Sequence, residues 1–145
     1  MRRREFIAAA CVACCGTGSL SALLSSCAPE NIIEGETREG KIRVPLPFPG
    51  EGPVHIVRAR DLPYDIALVT EAGGGIHALV LRCTHADNPL TVDGNGFSCS
   101  LHGSRFDAAG DVTHGPARRP LERLATAREE GAVVIYADAR HPASR

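Results

Sequence analysis

Two short segments of the chain each combine one cysteine with one histidine. Residues 83–85 read Cys-Thr-His, residues 99–102 read Cys-Ser-Leu-His, and thirteen residues separate the two segments. Thiolate and imidazole are ligands for zinc and for iron–sulfur centres. One tetrahedral Zn²⁺ could use all four side chains, but a structural zinc site usually pairs cysteine with cysteine and histidine with histidine along the chain. The mixed pairs fit a binuclear site better, with both thiolates on one metal and both imidazoles on the other.

The residues around these ligands resemble the Rieske [2Fe–2S] family. The family pattern is C-x-H, an intervening segment, and then C-x-x-H-G followed by small polar and aromatic positions. This chain has CTH at 83–85 and CSLHGSRFD at 99–107, and its HGPA at 114–117 is similar to the proline loop that covers the cluster. The resemblance implies a [2Fe–2S] cluster held by Cys83, His85, Cys99 and His102. It also implies that four further residues lie around the cluster, namely Ser104, Phe106, Gly115 and Pro116.

The sequence departs from the family pattern at three positions. Quinol-oxidising Rieske proteins usually carry a second cysteine in each ligand loop, and those positions are Asn88 and Leu101 here. Both partners of the loop disulfide are therefore missing, which is typical of a subfamily without that bridge. Phe106 stands where high-potential members have tyrosine, whereas Ser104 keeps the family's serine. The resemblance thus implies a reduction potential below the high end of the family range.

The body of the chain has the pattern of a small β protein. Short runs that are β-branched or alternate with polar residues are separated by Gly, Pro, Asp and Asn turns, and no segment beyond residue 26 sustains a helical period. Together with the resemblance, this predicts an all-β fold: a small, antiparallel, Rieske-type sandwich or barrel with a two-loop cluster-binding subdomain. Loops are expected at 83–92 and 99–120, and strands at Val54–Ala59, Ile66–Thr70, Ile76–Leu81 and Ala132–Ala137, the last paired with Leu124–Arg128.

The first 26 residues have the features of an export signal. Three arginines at 2–4 precede an apolar run, and residues 3–7 (Arg-Arg-Glu-Phe-Ile) resemble a twin-arginine signal. Residues 24–27 (Leu-Ser-Ser-Cys) resemble a bacterial lipobox, which would make Cys27 the lipidation site. The alternative is an uncleaved signal that stays as a membrane anchor. We expect residues 27–52 to form a tether and residues 53–145 to form the Rieske domain.

Removal of the signal simplifies the cysteine count. Six cysteines in an exported protein could form three disulfides, but three of them lie inside the signal and Cys27 would carry lipid. Only Cys83 and Cys99 remain in the body, as a lone disulfide or as metal ligands.

The overall charge and size limit the function further. A formal net charge of −1 argues against a nucleic-acid partner. The chain has no second cofactor motif and no room for a substrate pocket, which indicates an electron-transfer subunit and not a complete enzyme. We expect it on the periplasmic side of a bacterial membrane, held there by lipidated Cys27 or by a signal anchor. Its expected partners are redox proteins such as a cytochrome or a quinol-oxidising complex.

Two other functions compete with an exported subunit of a respiratory or oxidoreductase complex. A ferredoxin for a ring-hydroxylating dioxygenase would suit the missing loop disulfide, although the export signal argues against it. A structural Zn-binding interaction module would use the same four ligands.

Five further histidine and arginine positions lie outside the ligand motifs. His55 and His77 lie in strand-like runs and are expected to be ordinary surface or core residues. His114 adjoins the proline loop and could approach the cluster or a partner. Arg118 and Arg119 could form a docking patch, although a solvated pair of charges is the default.

Overall fold

The computed structural model describes residues 31–137, which fold into strands joined by turns and loops. The strands are β1 (Ile32–Gly35), β2 (Lys41–Pro45), β3 (Val54–Ala59), β4 (Ile66–Thr70), β5 (Ile76–Val80), β6 (Thr91–Asp93), β7 (Gly96–Ser98), β8 (Arg105–Phe106), β9 (Val112–His114), β10 (Arg123–Glu129) and β11 (Ala132–Tyr136). The described part of the chain contains no helix that could serve as a membrane span. The predicted signal and the lipobox cysteine lie outside the described residues.

The larger sheet is a nearly closed barrel of seven strands. Its strand order is β1-β3-β4-β5-β10-β11-β2. The two edge strands approach each other, because a Cβ atom at Gly35 on β1 would lie 3.0 Å from the Ile42 side chain on β2. Near-closure leaves little unpaired strand edge for association with other chains.

The barrel begins earlier in the chain than the sequence predicts. Residues 27–52 were expected to be a tether, but β1 and β2 lie within that range and form the two edges of the sheet. The expectation of a purely antiparallel sheet is also wrong at one place, because β1 pairs with β3 in parallel. β1 has only four residues, and β2 alternates polar and buried apolar residues over only five, so neither stands out within a segment rich in Glu, Gly and Pro.

Two central strands of the barrel are buried on both faces. Ile66 and Leu68 of β4 point into the barrel with Ala78 and Val80 of β5. The alternate residues of the same strands point outward into a second core. Side chains alternate between the faces of a strand, so a strand covered on both sides needs a continuous apolar run. The second layer of structure therefore packs on the outer face of β4 and β5.

That second layer is the four-stranded sheet β6-β7-β8-β9 with its loops. Phe97 on β7 and Phe106 on β8 are cross-strand partners, and both are buried in the second core together with Cys83 and Cys99. The backbones of β7 and β8 also pack closely, since a Cβ atom at Gly96 would lie only 2.3 Å from the Phe106 carbonyl oxygen. This packing places the two cysteines against the barrel.

The all-β fold class predicted from the sequence is confirmed. Strands β3 and β4 match their predicted bounds, and β5 and β11 each end one residue earlier than expected. The expected loop at 99–120 contains β8 and β9, which are only two and three residues long. Such short strands are defined by their pairing and not by any pattern of their own.

Candidate metal centre

The first ligand loop, residues 83–90, follows directly from β5. The Cys83 backbone N–H donates to the Asn88 carbonyl oxygen at 2.8 Å, and the Asp87 N–H donates to the Cys83 carbonyl oxygen at 2.8 Å. The Arg82 guanidinium closes the loop from outside by an ion pair of 2.7 Å with the Asp87 carboxylate and by hydrogen bonds to the Asp87 carbonyl oxygen. These bonds fix a tight turn that presents Thr84 and His85 at its tip.

The second ligand loop, residues 99–104, connects β7 to β8. The Cys99 N–H donates to the Ser104 carbonyl oxygen at 2.9 Å, and the Gly103 N–H donates to the Cys99 carbonyl oxygen at 3.0 Å. Gly103 has a φ of 78°, a left-handed conformation that glycine adopts without strain. The glycine after His102 therefore lets the chain turn back immediately into β8.

The two cysteines face each other in the buried layer. Both are free thiols, and the Cys99 side chain lies within hydrogen-bonding reach of the Cys83 sulfur. Burial raises the pKa of the Cys83 thiol, but hydrogen bonds lower it by more, so its net pKa is below the ordinary value. Those bonds come from the His85 backbone, the Cys99 side chain, the Ser104 hydroxyl and the Ala86 backbone. A thiolate is the form of cysteine that binds metal, so these donors prepare Cys83 as a ligand.

The two histidines lie on the opposite, solvent side of the same site. Both are exposed, and their ring centroids are 4.9 Å apart in an edge-to-face arrangement. In the described residues no group of three or more His, Cys, Asp or Glu side chains converges in the way that one metal ion requires. The four predicted ligands instead form two pairs, a buried thiol pair and an exposed imidazole pair. A Rieske-type cluster has two protein ligands on each of its two iron atoms, which matches this arrangement in pairs.

The proline loop, residues 115–119, joins both ligand loops. The Ala117 backbone N–H donates to the Ser104 hydroxyl oxygen at 3.0 Å in a fully buried contact. Thr84 donates its hydroxyl to the Arg119 carbonyl oxygen at 2.7 Å. Gly115 and Pro116 are exposed, and the peptide bond between them is cis. The loop thus covers one side of the site while leaving both histidine rings accessible.

The model for the Rieske [2Fe-2S] domain matches residues 49–127, more than half of the chain and all of the predicted ligands. The chain belongs to the Rieske family. A Rieske domain binds a [2Fe–2S] cluster and transfers electrons, so membership favours the cluster over the zinc module that the same ligands also allowed.

Curated proteins match this chain over part of their own length. The chain is 36% identical over 80 residues to the 4beta-methylsterol monooxygenase of Methylococcus capsulatus. This alignment covers 50% of this chain and 22% of the relative. It is 50% identical over 42 residues to the cytochrome b6-f complex iron-sulfur subunit 2 of Trichormus variabilis, covering 29% of this chain and 22% of the relative. The chain spans only 18–22% of the length of the curated relatives it matches.

The fold also has relatives among solved structures. A complex of reduced oxygenase and oxidized ferredoxin in carbazole 1,9a-dioxygenase contains a chain that aligns with a TM-score of 0.50 at 22% identity. The alignment covers 71% of this protein and 98% of that chain. This similarity shows the shared architecture of the Rieske domain.

The residues present fit a Rieske cluster. The buried thiols and the exposed imidazoles form pairs on opposite sides of one site, and a depressed thiol pKa favours the ligand form of Cys83. When bound, the cluster takes up and releases one electron. Ser104 is fully buried, and it is fixed by Ala117 so that its hydroxyl can bond to the Cys83 sulfur. Phe106 is buried in the same core as both cysteines and helps to exclude water from their side.

Sequence reasoning predicts the ligands, but it missed the contacts that hold their loops. Thr84 is only the variable position of C-x-H, and nothing in the pattern points to its bond with Arg119. The pairing of Arg82 with Asp87 likewise gives no sequence signal. His114 is exposed beside Gly115, next to the proline loop as expected, and its strand pairs with Arg105.

The two other histidines of the described residues, His55 and His77, are both buried, but in different environments. His77 has partners on both ring nitrogens, the Glu71 carboxylate and the Ala108 carbonyl oxygen, each at 2.9 Å. His55 has no hydrogen-bond partner on either nitrogen and lies 4.9 Å from the Phe48 ring. Burial lowers the pKa of His55, and the nearby Pro49 carbonyl offsets part of that effect.

Proposed function

We propose that this protein is an exported, membrane-held carrier of single electrons that serves a respiratory or oxidoreductase complex. The observation that carries the proposal is the difference in solvent exposure between the two pairs of predicted ligands. The thiol pair is buried against the barrel, while both histidines are open to solvent on one edge. A partner protein that contacts this edge would touch the imidazole ligands directly, so an electron would cross a short distance.

The location proposed for this carrier rests on the N-terminal sequence. Paired arginines at 3 and 4 and the cysteine at the end of the apolar run support twin-arginine export followed by lipid attachment at Cys27. Export of a folded domain suits a cofactor that is assembled before the protein crosses the membrane. The partner would then be a redox protein at the periplasmic face, such as a cytochrome or a quinol-oxidising complex.

A second candidate is the ferredoxin component of a ring-hydroxylating dioxygenase. Asn88 and Leu101 favour it, because they occupy the positions where the quinol-oxidising members have the loop disulfide. The two candidates differ in cellular location, which makes them separable by fractionation.

Spectroscopy and fractionation test the proposal in two stages. The purified protein should be coloured and should give an EPR signal at low temperature after reduction, whereas a zinc module would give neither. In cells, replacing Arg3 and Arg4 together by lysine should prevent cluster-loaded protein from leaving the cytoplasm, and Cys27→Ala should release it from membranes. Cluster-loaded wild-type protein in the cytoplasm would instead support the ferredoxin.

A Cys27→Ala protein that stays with membranes after a salt wash would contradict lipid anchoring. The uncleaved signal would then be the anchor, and export itself would still stand.

A further inference from the structure

A pair of arginines lies beside the exposed edge of the centre. Arg118 and Arg119 are both exposed, and within residues 31–137 neither forms an ion pair. They line a pocket of about 310 Å³ together with Thr84, His85 and Pro116. One wall of this pocket is therefore an imidazole ligand, and another carries two cationic side chains.

Acidic residues near this pocket are already engaged elsewhere. The Asp87 carboxylate lies 2.7 Å from the Arg82 guanidinium, so that pair adds no net charge to the edge. Glu122, the next acidic residue along the chain, is partly buried near Tyr64 on the barrel side. The two arginines thus present positive charges that no acidic side chain within residues 31–137 pairs with.

The rest of the domain has the opposite sign. Residues 31–137 contain 14 acidic and 11 basic residues, a formal net charge of −3. A positive patch on a negative body produces a dipole whose positive end lies at the centre, and such a field orients charged partners as they approach.

The position of the patch is fixed relative to the ligands. The Thr84 hydroxyl holds the Arg119 carbonyl oxygen at 2.7 Å, and Thr84 directly precedes His85. Leu101, 53% exposed, directly precedes His102 and offers an apolar contact on the same edge. Charged and apolar contact groups are therefore both held next to the two imidazole rings.

We infer that the Arg118–Arg119 patch docks an acidic protein surface over His85 and His102. The inference rests on the proposed function, because it names the chemistry of the partner that exchanges electrons at that edge. Carboxylates of the partner would pair with the two guanidinium groups, which present fixed forks of donors suited to carboxylates. Pairing there brings the partner's own redox centre towards the exposed rings.

Small oxidants of opposite charge can probe the field at the centre. Reduced, cluster-loaded protein is mixed in a stopped-flow instrument with ferricyanide or with tris(1,10-phenanthroline)cobalt(III) at increasing ionic strength. Although the domain is negative overall, ferricyanide should react faster at low salt, and the cationic cobalt complex should react more slowly there. R118Q/R119Q should lower the low-salt ferricyanide rate by about tenfold and flatten its salt dependence.

The matched control is R60Q/R128Q. Both arginines are exposed on the barrel, and their replacement changes the net charge by the same two units. This control should keep the ferricyanide rate of the wild type. Equal effects of the two double variants would overturn the inference, because net charge alone would then explain them.

Binding measurements test the class of partner without any electron transfer. Titration calorimetry with a glutamate-rich peptide should give binding to wild type, about tenfold weaker binding to R118Q/R119Q, and unchanged binding to R60Q/R128Q. Vesicles of phosphatidylglycerol serve as the competing anionic surface. Binding to the vesicles but not to the peptide would overturn the inference in favour of a lipid surface.

Failure of the proposed function would look different. A protein without the visible and EPR signals of a cluster would refute electron carriage itself. A normal cluster whose reactions ignore Arg118 and Arg119 would refute only the docking surface.

Discussion

The hydroxyl of Thr84 donates a 2.7 Å hydrogen bond to the carbonyl oxygen of Arg119. This contact joins the first ligand loop to the proline loop, and the buried bond from Ala117 to Ser104 joins the second. Cys83 and Cys99 are free thiols, so within residues 31–137 no disulfide joins the two ligand loops. Hydrogen bonds to the proline loop therefore help to hold the ligand loops together.

Thr84→Val tests this connection, because valine keeps the shape of threonine and removes only the donor. The loss of a net hydrogen bond costs about 1 kcal/mol, and it leaves the Arg119 carbonyl without that partner. We expect the cluster to be lost several times faster during incubation with a chelator, followed by visible absorption. Thr84→Ser retains the hydroxyl and should behave like wild type. A normal rate of loss in Thr84→Val would show that the bond does not stabilise the loop.

Substitution of any ligand should abolish the native spectrum. Cys83→Ser, His85→Ala, Cys99→Ser and His102→Ala each remove one bond to iron, and the remaining pairs cannot replace it. Visible absorption and EPR of the purified variants provide the measurement, and His114→Ala is the control because its side chain lies outside the ligand loops. A native spectrum in one ligand variant would remove that residue from the ligand set.

Phe106→Tyr should raise the reduction potential. The ring is buried in the same core as Cys83 and Cys99, where a new hydroxyl could donate to a ligand sulfur. A donated hydrogen bond stabilises the reduced cluster more than the oxidised one, since reduction adds negative charge. A net bond of about 1 kcal/mol corresponds to a shift of roughly 40 mV for one electron. Protein-film voltammetry measures the shift.

Ser104→Ala is the counterpart of that variant. Its hydroxyl bonds to the Cys83 sulfur, so its removal should lower the potential by a similar amount. Should Phe106→Tyr leave the potential unchanged while the cluster stays intact, the hydroxyl does not reach a sulfur. It would then be a buried polar group without a partner, and the protein would unfold at a lower temperature.

Acidification should destabilise the barrel through His55. Burial lowers the pKa of this imidazole below the ordinary value of 6.5, so the folded protein binds fewer protons than the unfolded chain between those two values. The free energy of unfolding therefore falls as the pH drops below about 6.5. His55→Leu should remove this part of the pH dependence in thermal melts followed by circular dichroism, and it should do no harm at pH 8. Replacement of the exposed His114 by Gln should keep the pH dependence of the wild type. If the stability of His55→Leu falls as steeply on acidification as that of the wild type, the effect belongs to another group.

The sequence predicts the fold best where burial imposes a pattern. β3 and β4 match their predicted bounds because their apolar runs cover a packed layer. β1 and β2 were expected to be a tether, since they are short, lie among Gly and Pro residues, and are defined by pairing with strands distant in the sequence. β8 has two residues, and it exists only because β7 and β9 flank it.

The site shows the same division between local and long-range information. The spacing of Cys83, His85, Cys99 and His102 is local, so the motif identifies the predicted ligands. The exposure of the histidines and the burial of the cysteines depend on how the four-stranded sheet packs on the barrel. The bond from Thr84 to Arg119 spans 35 positions and depends on loop conformations that no pattern of residue types encodes.

One pair of predicted ligands is buried and the other is exposed. A redox partner can therefore approach the centre of the proposed carrier closely from only one side. Electron transfer is fastest over the shortest distance, so a donor and an acceptor would both bind at the edge beside His85 and His102, because the thiol side is covered by the barrel. Donor and acceptor therefore exclude each other, and one has to depart before the other can bind. The rate of turnover then depends on how long each partner stays bound as well as on the rate of electron transfer. A partner that dissociates slowly would therefore slow the overall exchange of electrons.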